Sequence, residues 1–166
     1  MTATARHFAG FESAFAIAFE EEISGVGYFD ALSQREPDPR CAALYAKLAL
    51  IESQTAAALR PLATALGLTP ANEAAVLQSG RDEALEGQGL SFHQVMTAID
   101  CDYPAYVTEF EALKVMAPAS AGGAAQVLID HEVAIIAMAR AELAGNPDPG
   151  ASLDAFLARL GKSSPT

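Results

Sequence analysis

The stretch "LALIESQTAAAL", Leu48 to Leu59, decides how this chain is read. Nearly every residue in it is small or apolar, yet Glu52 stands in the middle. Leu44, Leu48, Ile51 or Glu52, Thr55, Leu59, Leu62 and Leu66 recur in steps of three and four, the spacing of one helix face. Glu52 therefore lies on or beside the stripe that should turn inward. The helix carrying it is expected from about Arg40 to about Leu66, closed by Gly67 and kinked or broken near Pro61.

A second charged residue interrupts a similar stripe. Phe8, Phe11, Phe15, Ala18, Glu22, Gly25, Phe29 and Leu32 define a first helix from about His7 to about Gln34, ended by "REPDP". Gly67 to Ser91 is too long for a plain turn, and Thr69-Pro70 predicts a short helix inside this connection. A third helix is expected from about Ser91 to about Ala117, with Phe92, Met96, Ile99, Tyr103, Tyr106, Phe110 and Leu113 on one face and a kink at Pro104. A fourth runs from about Ala124 to about Ala144 with Leu128, Glu132, Ile135, Ala139 and Leu143 on its face. "SLDAFLARLG" forms a short tail helix, about residues 152–160, with Ser152 as its cap. The fold class is all-α: an up-down four-helix bundle with a long crossover between helices 2 and 3, in a single domain over 1–166.

The acids repeat. Glu52 and Glu132 lie 80 residues apart, as do Glu22 and Asp102, and the same offset sets Arg60 on Arg140. Arg60 and Arg140 fall eight residues beyond Glu52 and Glu132, about 12 Å along a helix, too far to neutralise them. His131 adjoins Glu132 but points about 100° away around the helix, and His7 and His93 read as surface or capping residues.

These motifs resemble the ferritin-like superfamily, most closely its rubrerythrin-type branch. "EISGVGYFDAL" (22–32) is similar to the first-helix motif, with Glu22 as ligand. "LALIESQTAAALRPL" (48–62) is similar to the second, with Glu52. "AIDCDYPAY" (98–106) stands for the third, with Asp102 replacing Glu. "VLIDHEVAIIAMARAEL" (127–143) is similar to the fourth, with Glu132. The resemblance covers about residues 8–144 and implies a carboxylate and histidine di-iron site inside the bundle. Both motif histidines are replaced, by Thr55 and Ile135. Ferroxidase, peroxidase or oxygenase chemistry therefore does not carry over.

What remains is Glu22, Glu52, Asp102 and Glu132 as a carboxylate-only set. Oxygen-only ligation favours a hard ion such as manganese, magnesium or calcium over zinc, and the cofactor the resemblance implies, if any, is iron or manganese. The expected function is a non-ferroxidase binding or interaction module with no resident cofactor; the sequence leaves open whether it is an enzyme. The first alternative is a metal-binding protein or oxidoreductase built on the four acids. The second is a small-molecule binder whose core aromatics Phe15, Phe29, Tyr106 and Phe110 line a pocket anchored by a Glu.

The bulk numbers agree with a globular chain: 166 residues, 51% hydrophobic, 19% charged. A formal net charge of −11 argues against nucleic acid and anionic membranes as partners and would attract cations. Cys41 and Cys101 are too few for a disulfide framework. No signal peptide is read at the N-terminus, and no run of the sequence reaches the length of a membrane span. A cytoplasmic homodimer is the expectation.

Overall fold

The computed structural model describes residues 5–87 and 89–163. Its regular structure among these residues is entirely helical. The helices are α1 (Phe11–Arg35), α2 (Pro39–Leu66), α3 (Glu73–Glu86), α4 (Phe92–Asp102), α5 (Pro104–Met116), α6 (Gly122–Leu143) and α7 (Ala151–Ser163), with a 3-10 turn at Ala119–Ala121. The chain forms two compact units, residues 15–92 and residues 93–163 with 5–14.

In the 15–92 unit, α1 and α2 form a tight helical hairpin. Asp38 caps α2 by accepting the N–H groups of Arg40 and Cys41, and Pro39 supplies a preset φ at the first helical position. Ser33 donates its hydroxyl to the Ala42 carbonyl across the turn. At the far end Gly67 takes φ +69°, while Leu68 N–H returns to Ala63 O and Gly67 N–H to Thr64 O. This is the paired closure that a left-handed glycine permits. The helix runs unbroken through Pro61. Pro61 and Ala57, whose carbonyl loses its partner, both lie on the exposed face, where water can serve that oxygen.

The long connection holds a 14-residue helix, α3, and its start differs from expectation. Asn72 caps it through Ala75 N–H; Thr69-Pro70 precedes it in the loop. α3 begins beside the end of α2, where Glu73 pairs with Arg60, and finishes beside the end of α1, where Arg35 donates to Ala84 O at 2.6 Å. The approach to α1 is close because both helices offer a glycine. A Cβ on Gly27 would strike Leu77 O, and one on Gly80 would strike Ser24 O.

The other unit is built around α6. The expected third helix is two helices that meet at Tyr103, because Pro104 has no N–H for the carbonyl four residues back. α5 packs on α6, and Lys114 reaches Gln126 while Arg140 reaches Asp100 at 2.6 Å, so the α4–α5 pair runs antiparallel to α6. α7 covers a further face of α6. Ser152 donates to Ala134 O at 2.8 Å and does not cap α7; Gly150 O receives the first N–H groups instead. The segment Ala119–Leu143 is long and apolar enough to cross a membrane by length and composition, contrary to the sequence expectation. Half of its most apolar 18-residue window is buried within the protein.

Phe15, Ala18, Glu22 and Phe29 of the first stripe are buried. Phe8 falls outside the helix, which starts at Phe11. On α2 the buried line ends on Leu59 and Ala63, leaving Leu62 and Leu66 half-buried.

Candidate functional site

Two expected acids meet inside the 15–92 unit. Glu22 on α1 and Glu52 on α2 are 3% and 5% exposed, and a carboxylate oxygen of each lies within 4.8 Å of the other. The antiparallel hairpin brings them to one level. Gly25, one turn beyond Glu22, makes the room: a Cβ there would lie 2.8 Å from Glu52 Cδ and 2.9 Å from Oε2. The glycine on the apolar stripe is thus the cradle of the second carboxylate.

Thr55 adds a third oxygen on the same face of α2, one turn after Glu52. It is fully buried, and its Oγ1 has no hydrogen-bond partner among the described residues. Helical threonines commonly return the hydroxyl to a carbonyl one turn back. Thr97 and Thr108 do so, onto His93 O and Pro104 O; Thr55 does not. Arg60 holds Glu73 and lies 5.4 Å over the Phe19 ring. The Glu73 carboxyl is correspondingly held below its ordinary range, first by that hydrogen bond.

In the other unit, Glu132 is buried as expected and Ile135 is fully enclosed. The histidine beside it was missed. His131 is 1% exposed, packs against Phe156 with ring centroids 6.2 Å apart, and brings Nδ1 to 4.0 Å from Glu132 Oε1. A 100° turn leads to solvent only on a helix with one covered side. α7 covers a second side, so adjacent positions 131 and 132 are both buried. The apolar residues of "SLDAFLARLG" were the available signal.

Asp102 is half-buried at the end of α4. The deeply buried acid of this segment is Glu109, 4% exposed, which the sequence reading passed over. Its spacing marked it, three residues after Tyr106 and four before Leu113. Its charge is met by Arg6. Phe15 and Phe29 pack fully inside one unit, and Tyr106 stacks on Phe110 in the other with centroids 6.4 Å apart. A surface groove of about 330 Å³ opens between α1, α2 and α3, lined by Ile23, Val26, Ala56 and Leu77 and closed at one end by Arg60 and Glu73.

Chemically, two carboxylates and a hydroxyl offer hard oxygen donors. They fit one hard divalent cation. On α2 the residue one turn after Glu52 is Thr55, so that helix supplies no histidine beside the carboxylate. Comparison with family models, with curated proteins and with solved structures returned no match.

Proposed function

We propose that this chain is a ferritin-like protein without ferroxidase chemistry that binds a single hard divalent cation through Glu22 and Glu52. The proposal includes the up-down four-helix arrangement with a crossover between helices 2 and 3, and a cytoplasmic homodimer as its working form. The observation that carries it is the convergence of two buried carboxylates on the space left by Gly25. Two carboxylate oxygens within 4.8 Å of one another can ligate one cation together. The two carboxylates suit a hard divalent cation such as manganese, magnesium or iron(II). The ion would supply charge neutralisation and lock α1 to α2. Thr55 and Ile135 remove the imidazoles from the motif, so electron transfer from a paired iron site is not part of the reading. A net charge of −11 raises the local concentration of cations.

A binding module with no metal is the competing reading. Metal analysis of protein produced with ample manganese and iron separates the two. The proposal expects one bound ion per chain, lost in Glu52→Gln. Metal-free wild type whose unfolding temperature ignores added manganese would overturn it.

A further inference from the structure

Glu109 stands on α5 with only 3% of its side chain exposed, yet its cation comes from outside any helix. Arg6 lies in the non-helical segment before α1. Its Nε donates to Oε1 at 3.2 Å and to Oε2 at 3.0 Å, and its Nη2 donates to Oε2 at 2.8 Å. The backbone N–H of Arg6 donates to Oε1 as well. The guanidinium carbon lies 5.4 Å from the Phe8 ring centre and 5.8 Å from that of Tyr106. The two partners differ in depth: the Arg6 side chain is 42% exposed. The carboxylate and the Tyr106 ring are fixed in the helix, and the cation is the removable part.

The arrangement reads an arginine in three ways. The planar fork fits the carboxylate edge, which an ammonium does not do. The aromatic face favours a flat, weakly hydrated cation. The backbone N–H to Oε1 selects an arginine within a peptide over a free guanidinium. Phe8, two residues on, adds an aromatic to the pattern.

We propose that Glu109 and Tyr106 form a receptor for a peptide-borne arginine, filled in cis by Arg6, so that residues 5–10 are a strap an arginine-bearing segment of a partner displaces. The strongly negative chain favours such a basic partner. This site is separate from the Glu22–Glu52 pair and stands or falls independently of it.

The test titrates the full chain with acetyl-Arg-His-Phe-amide, a copy of residues 6–8, followed by calorimetry. A tethered occupant lowers the apparent affinity by the fraction of receptor it leaves open. Arg6→Ala is therefore expected to bind the peptide at least about ten-fold more tightly than wild type. Adding Glu109→Gln to that variant should abolish binding. Ethylguanidinium should bind Arg6→Ala more weakly than the peptide, and acetyl-Lys-His-Phe-amide should not bind. If Arg6→Ala does not fold, Arg6→Lys keeps the charge and loses the fork; its unfolding temperature should rise with the arginine peptide and not with the lysine peptide. Binding to Arg6→Ala no tighter than to wild type, or equal effects of the two peptides on either variant, would overturn the proposal.

Discussion

Gly25 and Glu52 occupy one space: the position of a Cβ on Gly25 is 2.8 Å from Glu52 Cδ. Glycine inside a long helix ordinarily weakens it by about 1 kcal/mol relative to alanine. Here the missing methyl admits a buried carboxylate. Gly25→Ala should therefore destabilise the protein by about 1–3 kcal/mol, the usual cost of overpacking, in place of the helix-propensity gain. Urea unfolding measures this, and a more stable variant with unchanged manganese binding would refute the cradle.

Thr55 supplies a second prediction. Its hydroxyl is buried without a hydrogen bond among the described residues, so its removal loses none. Thr55→Val is nearly isosteric, and its stability in chelator should lie within about 1 kcal/mol of wild type or above it. Manganese affinity should fall in the same variant. A large loss of stability in chelator would mean that the hydroxyl holds the fold and not an ion.

The α1–α3 crossing predicts a contrast among glycines. Gly80→Ala places a methyl against the backbone oxygen of Ser24, which cannot swing away. A loss of about 1–3 kcal/mol is expected. Gly123 on α6 has open space around its Cβ position, so Gly123→Ala should be neutral or stabilising by up to about 1 kcal/mol. Equal effects of the two substitutions on thermal unfolding would contradict the packing described.

The start of α2 carries an acid-sensitive cap. The N–H groups of Cys41 and Arg40 hold the Asp38 carboxyl below its usual 3.8. A carboxyl lowered by folding contributes stability above its unfolded value and loses it as pH falls through the folded value. Asp38→Asn keeps an acceptor without the titration. The difference in unfolding temperature between wild type and Asp38→Asn should be constant from about pH 5 to 7 and shrink below about pH 4. A difference that does not change across that range would show that the charge of Asp38 contributes nothing.

Much of this was legible in the sequence because it is local. Steps of three and four placed Glu22 and Glu52 on inward stripes, and "PDP" and Gly67 marked the ends of α2. Pro104 announced the break at Tyr103. What was not legible depends on distant partners. His131 became buried only because α7 lies over a second face of α6. The spacing of Glu109 hinted at burial, but its counter-charge, Arg6, lies about a hundred residues earlier and no local pattern joins the two. Gly27 and Gly80 carry no helical periodicity that announces a crossing. The 80-residue repeat pointed to Asp102, yet the buried acid of that segment is Glu109, beside Phe110 on the expected stripe.

The central claim is that Glu22 and Glu52 bind a hard cation. The most direct measurement is the unfolding temperature of wild type and Glu52→Gln, each freed of metal and then titrated with manganese. Binding to the folded state alone raises stability with ligand concentration. The account predicts a saturable rise for wild type and none for Glu52→Gln. Identical behaviour of the two proteins, with or without a rise, would contradict it.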